Sequence, residues 1–310
     1  MKVVPTCTLH QFLPIATMSS RCFSVKAQTS SPDQRRRRLE AIVNLDQYPF
    51  HEERERSKFV IGRAREDLEN KGVATLNGFI KPSALRSLTE EALHNKPKAF
   101  YTNSKSTHNI YQMKNDPSKP LAHINNQQMV SSKGCITTDQ IPSRSFLKAL
   151  YYDPIFQKFL KEVLQVKKLY PYEDPLSSIN VHYASEGQEL GWHFDNSEFA
   201  ITLLLQRPED GGVFEYVPSV RDSDYEGFKN DIKPGMETDV KAVLDGTSPP
   251  QRLEISPGTL VLFRGRDCLH RVTKVVGDKV RMLVVFAYNE KKGIKLPEES
   301  RMTFFGRTGE

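Results

Sequence analysis

Three residues of this 310-residue chain have the types and spacing of a metal clamp. His193 and Asp195 flank Phe194 in Gly191-Trp192-His193-Phe194-Asp195-Asn196. In an extended strand alternate side chains share a face, so the imidazole and the carboxylate point one way and Phe194 the other. His270, in Leu269-His270-Arg271-Val272, supplies a third candidate ligand. Two histidines and one carboxylate on neighbouring strands form a facial triad that leaves three positions open on a non-haem Fe(II). Arg281 sits near the start of Val280-Arg281-Met282-Leu283-Val284-Val285-Phe286, an apolar run that reads as a buried strand. A guanidinium there is costly unless a carboxylate pairs with it. A co-substrate is one source of that carboxylate.

Other landmarks surround this set in a fixed order. Tyr183 to Gly187 precede the metal strand, and Asp210-Gly211-Gly212-Val213-Phe214 and Pro257-Gly258-Thr259-Leu260-Val261-Leu262-Phe263 follow it. Over residues 169–289 the ordered set resembles the Fe(II)/2-oxoglutarate-dependent dioxygenases. The resemblance implies a double-stranded β-helix, or jelly-roll, core and the cofactors Fe(II), 2-oxoglutarate and O2, with ascorbate as the in vitro reductant. It also implies that His193, Asp195 and His270 are both the catalytic set and the metal ligands. Arg281, eleven residues after His270, matches the position that grips the far carboxylate of 2-oxoglutarate, and Tyr183 and Thr202 match residues lining the co-substrate pocket. In that family oxidative decarboxylation of 2-oxoglutarate to succinate and CO2 drives hydrogen abstraction from an unactivated C–H bond. Halogenating relatives lack the carboxylate so that chloride takes its place, so Asp195 disfavours halogenation.

The elements that must position these groups follow from periodicity. Short apolar segments at 179–184, 199–205, 213–217, 252–255, 259–264, 271–275 and 279–288 are split by Gly and Pro turns with few helices between them. That pattern favours an antiparallel jelly roll over a doubly wound sheet. The polar stretch 218–250 reads as an excursion between two of its strands. Ahead of the core, helical spacing covers 57–71 and 83–96, a strand covers 73–80, and 146–166 is helical with a break at Asp153-Pro154, where Asp caps and Pro starts a helix. The class is therefore α+β, a jelly-roll core with supporting N-terminal helices. Residues 97–142 are polar and irregular, and a connection this long is the candidate substrate lid. Tyr101, Lys105 and Asn109 within it, with Asn196 and Arg271 beside the metal ligands, are the candidate substrate contacts.

Charge narrows the partners. Residues 1–38 hold seven basic residues against Asp33, which accounts for the whole formal charge of +6; from Leu39 onward 37 basic residues face 37 acidic ones. A neutral body has no basic footprint for nucleic acid. No apolar run is long enough for a membrane span. The first 32 residues lack acidic side chains, are rich in Ser and Thr and carry scattered bases, which suits a transit peptide to a plastid or mitochondrion; without such an address the chain is cytoplasmic. Cys7, Cys22, Cys135 and Cys268 are too dispersed for a disulfide framework or a CxxC zinc site, which implies a reducing compartment. The domain reading is a leader over 1–38 and one catalytic domain over 39–310. That domain divides into helical support and lid (39–168), core (169–289) and a C-terminal tail (290–310), and the protein reads as a monomer.

For the primary substrate, the run from His193 to Phe199 and the Asp210–Phe214 landmark are similar to oxygenases of specialised metabolism acting on amino-acid derivatives, the algal kainoid synthases among them. That similarity implies a small carboxylate-bearing substrate undergoing ring closure, desaturation or hydroxylation. The competing readings are a prolyl-type protein hydroxylase of the same superfamily and a non-catalytic jelly-roll binding module.

Overall fold

The computed structural model describes residues 31–52, 54–102, 107–112, 114–218, 220–221 and 236–309. Residues 1–30 of the leader expected over 1–38, and Lys105, lie outside them. Two antiparallel sheets face each other. The larger has seven strands in the order Val73–Leu76, Leu260–Phe263, Ala200–Gln206, Arg281–Phe286, Ile179–Ala184, Gly134–Ile136 and Phe100–Tyr101. The smaller runs Gln251–Leu253, Phe214–Val217, Leu269–Val272 and Leu190–His193. Apart from Phe214–Val217 and Gln251–Leu253, which pair within the smaller sheet, successive core strands of the two sheets alternate between them, which is the jelly roll expected from the strand pattern.

Five helices support the larger sheet: α1 (Pro32–Ile42), α2 (Glu55–Lys71), α3 (Pro82–Asn95), α4 (Phe146–Tyr151) and α5 (Pro154–Leu164). Asp153 caps α5 by accepting from the Ile155 and Phe156 backbone N–H groups, and Pro154 starts it. The apolar stripe of α5, Phe156, Phe159, Leu160, Val163 and Leu164, is buried in the main core with Leu39, Ile42, Leu88, Val181, Tyr183 and Val284. Strands there alternate: Val181 and Tyr183 face the helices, leaving Asn180 and His182 to face the space between the sheets.

The structure differs from the sequence reading in four places. Helix α1 crosses the boundary expected at residue 38, because Ser31 and Gln34 form a capping box and the Arg35–Arg38 run is a solvated turn of a helix whose Leu39 and Ile42 are in the core. Residues 97–142 are not simply irregular. Thr107–Asn109 and Gln128–Val130 form a two-stranded ladder, and Gly134–Ile136 joins the larger sheet. Polar composition concealed them because each is only three residues long. The tail contains α7 (Glu298–Phe305), whose Phe305 packs on Cys135 and Leu176. In the excursion, α6 (Met236–Leu244) covers the outer face of the smaller sheet through Met236, Val240 and Val243, against Trp192, Phe194 and Leu269. Among the described residues no helix is long and apolar enough to cross a membrane.

A chain beginning at Leu39 should unfold with about 1–3 kcal/mol less stability than one beginning at Ser31, since it lacks the capping box and the first turns that hold Leu39 and Ile42 in place. Equal denaturant midpoints for the two chains would show that α1 contributes nothing.

Candidate metal centre and co-substrate cavity

His193 ends the strand Leu190–His193 and His270 lies in Leu269–Val272, and the ladder between these strands sets the two residues directly opposite each other. Their ring centroids are 4.0 Å apart. Asp195 follows two residues after His193, with its backbone N–H donating to the Gly265 carbonyl at 2.9 Å. Its Oδ1 lies 3.5 Å from His193 Nε2 and 3.6 Å from His270 Nε2. The three ligand atoms fall within 4.8 Å of one another.

Hydrogen bonding decides which ring nitrogen faces this point. His193 Nδ1 lies 2.8 Å from the Gly191 carbonyl oxygen and His270 Nδ1 lies 2.9 Å from that of Cys268. A carbonyl only accepts, so each Nδ1 carries the proton and each Nε2 presents a lone pair. Burial, helped by the neighbouring His270, pushes the His193 imidazole down to about 4, so it is neutral at physiological pH. Burial pushes the Asp195 carboxyl up, but the two imidazoles outweigh it and hold the group below the usual carboxylate range. Two neutral nitrogens and one carboxylate oxygen are the donor set of a facial triad, so the residues fit Fe(II).

The metal strand is clamped from outside. Phe194 donates its backbone N–H to the Ile110 carbonyl at 2.7 Å, and the Val130 carbonyl oxygen would lie 2.8 Å from any Cβ at Gly191, so only glycine admits that close approach. His108 lines the cavity with its ring edge-on to His193, at 5.5 Å between centroids.

Arg281 opens onto the same cavity, a space of about 280 Å³ between the sheets. It is 7% exposed, and its Nε donates to the Gly212 carbonyl at 2.9 Å. Among the described residues no carboxylate forms an ion pair with it. Burial lowers the guanidinium to about 10, which leaves it charged. A buried cation with donors to spare beside a metal triad fits a small dicarboxylate such as 2-oxoglutarate. Gly212 explains the paired glycines: its φ of +58° suits glycine, and an added Cβ would sit 2.9 Å from Arg281 Cδ.

Thr202 and Asn196 line this cavity. Three other candidates point elsewhere. Tyr183 faces the helices and donates its hydroxyl to the Ala92 carbonyl at 2.7 Å, so strand alternation removes it from the co-substrate pocket. Arg271 neighbours His270 on the opposite face of its strand, where it pairs with Glu215 at 2.6 Å and lies over the Trp192 ring. Tyr101 packs its ring on Gly134 at the sheet edge, on the outer face with Tyr183. Lys133, His182 and His108 line the cavity and were missed. For His182 the parity of its strand carried the signal, since it is two residues from Ala184, which pairs with Arg281.

A family model described as Halogenase D matches residues 57–303. No curated protein sequence matches the chain. Among solved structures, a 2-oxoglutarate/Fe(II) oxygenase-family oxidoreductase from Burkholderia pseudomallei is 15% identical over 75% of this chain and 92% of its own, with a TM-score of 0.46. A prolyl-4-hydroxylase from Pseudomonas putida is 13% identical over 74% of this chain and 99% of its own, with a TM-score of 0.46. The carbocyclase SnoK of nogalamycin biosynthesis is 14% identical over 77% of this chain and 89% of its own, with a TM-score of 0.48.

Replacing His193, Asp195 or His270 singly by Ala should abolish Fe(II) binding measured anaerobically while leaving the circular dichroism spectrum unchanged. A variant that still holds about one iron per chain would remove that residue from the triad. Gly212→Ala should displace Arg281 and raise the 2-oxoglutarate requirement about tenfold without loss of iron. An unchanged requirement would uncouple Gly212 from Arg281.

Proposed function

Because the chain belongs to the Halogenase D family and keeps a carboxylate in its metal triad, we infer that it oxidises, and does not halogenate, a small carboxylate-bearing amino-acid derivative. It is an oxidoreductase of the Fe(II)/2-oxoglutarate class. The observation that carries the reading is that the triad and buried Arg281 line one cavity from its two facing sheets, and a non-catalytic jelly-roll module would have no reason to bury that cation.

When bound, Fe(II) with 2-oxoglutarate and O2 supplies the oxidising power for hydrogen abstraction. The residues supply placement. His193, Asp195 and His270 would hold the metal from one side, leaving its other positions facing the cavity. Arg281 would pair with the far carboxylate of 2-oxoglutarate, and Gly212, through its carbonyl, aims the guanidinium. Leu283, Val285, Phe263 and Phe214 present apolar surface around the triad and exclude water from the reacting groups. Asp195 would hold the metal where a halide would otherwise bind. The neutral charge of residues 39–310 speaks against a nucleic acid, and the cavity's size suits a small molecule. Within that class, kainoid-type ring closure, desaturation and hydroxylation share the hydrogen abstraction and differ in the fate of the substrate radical.

Arg281→Ala should raise the 2-oxoglutarate requirement by roughly tens- to thousands-fold, since a charge-assisted bidentate pair in a buried site is lost. An unchanged requirement would sink that role. N-alkylated amino acids and other small acids should stimulate 2-oxoglutarate decarboxylation. Product mass distinguishes the outcomes: gain of one oxygen means hydroxylation, and loss of two hydrogens means desaturation or ring closure. Exchange of hydrogen for chlorine in chloride buffer, or turnover only with a peptide, would refute the reading.

A further inference from the structure

Lys133 is a second cation in the cavity wall, and the co-substrate does not account for it. It immediately precedes the strand Gly134–Ile136, in which Gly134 pairs with Tyr183 and Cys135 with His182. Continuing that register by one residue sets Lys133 beside Ala184, and on its other side Ala184 pairs with Arg281. Lys133, Ala184 and Arg281 therefore fall in one row across three strands, with Lys133 and Arg281 lining the cavity and only the methyl side chain of Ala184 between them in the row. Lys133 Nζ lies 3.3 Å from His182 Nδ1 and 5.8 Å from the centre of the Phe304 ring on α7. Burial and the adjacent Lys133 and Arg281 keep His182 neutral, so its Nδ1 accepts from the ammonium and holds it in place. Among the described residues no carboxylate forms an ion pair with Lys133, and Asp195, the acid facing it, is engaged with two imidazoles. A desolvated ammonium with only an imidazole and the face of an aromatic ring for company lacks a counter-ion.

The charges of the assembled centre sharpen this. A divalent metal, Asp195, a 2-oxoglutarate dianion and Arg281 balance one another, and Lys133 leaves one positive charge over. We propose that the Lys133 ammonium anchors a carboxylate of the primary substrate, beside and distinct from the Arg281 site for 2-oxoglutarate. The inference rests on the small-acid reading above and adds the residue that selects for the acid. His182 positions the ammonium, and Phe304 closes the cavity over it.

The test uses the full chain loaded anaerobically with Fe(II) and 2-oxoglutarate, with N-methyl-L-glutamate and its dimethyl ester as probes in calorimetric titrations. Wild type should bind the acid and not the ester. Lys133→Gln should weaken the acid on the order of tens-fold while 2-oxoglutarate affinity stays within about threefold, the spread expected of a site that is not contacted directly. Its melting temperature should not fall, because a part-buried charge without a counter-ion has been removed. As an independent readout, N-methyl-L-glutamate should protect Lys133 from acetylation, followed by peptide mass spectrometry, beyond any protection by 2-oxoglutarate alone. Equal acid affinity in wild type and Lys133→Gln would overturn the proposal while leaving the small-acid reading intact. Loss of 2-oxoglutarate affinity in Lys133→Gln would overturn it by assigning the residue to the co-substrate. Failure of wild type to bind the acid would overturn both.

Discussion

Two backbone carbonyls govern what the centre of this protein can hold. Those of Gly191 and Cys268 each lie two residues before a histidine, and each takes the Nδ1 proton of that histidine. The bonds turn both Nε2 lone pairs towards Asp195 and fix the tautomer that a metal requires. Because each joins residues only two apart in the chain, the orientation of each ring depends on its own segment keeping its place. The ladder that sets His193 opposite His270 supplies that condition.

Much of the remaining structure keeps those strands in place. Residues 107–112 and 114–130 close over the metal strand, with Ile110 accepting from Phe194 and Val130 fitted against Gly191. Helix α6 and the Trp192, Phe194 and Leu269 cluster close the other side of the smaller sheet. On the larger sheet the helices bury one face of Ile179–Ala184 and Arg281–Phe286, so the opposite parity is left to line the cavity. This division places Arg281, His182 and Thr202 inside and Tyr183 outside. Cations gathered around a small space beside the triad make the site selective for acids, and the protein's own carboxylates are kept busy elsewhere: Glu215 with Arg271, Asp267 with Arg264 and Asp195 with the imidazoles.

The jelly roll and the triad were legible because both rest on local patterns: strand alternation, Gly and Pro punctuation, and an HxD triplet in a fixed order with His270 and Arg281. What was not legible depended on pairing. Nothing local to Tyr183 or Arg271 says which face of the strand turns inward; the register with Arg281 and with Glu215 decides that. Lys133 sits in a polar stretch whose composition resembles a solvated loop, and only the joining of Gly134–Ile136 to the larger sheet carries it into the cavity. The Arg35–Arg38 run misled in the same way, since its charge concealed a capped helix whose next turn is core.

The central claim is that two neutral imidazoles and one carboxylate converge on a single Fe(II) beside a cation that holds 2-oxoglutarate. Anomalous diffraction at the iron edge, from crystals prepared anaerobically with Fe(II) and 2-oxoglutarate, tests it most directly. The account predicts one iron peak bounded by His193 Nε2, the Asp195 carboxylate and His270 Nε2, with the far carboxylate of 2-oxoglutarate on Arg281. Iron bound elsewhere, a ligand set lacking any of the three, or a co-substrate turned away from Arg281 would contradict it.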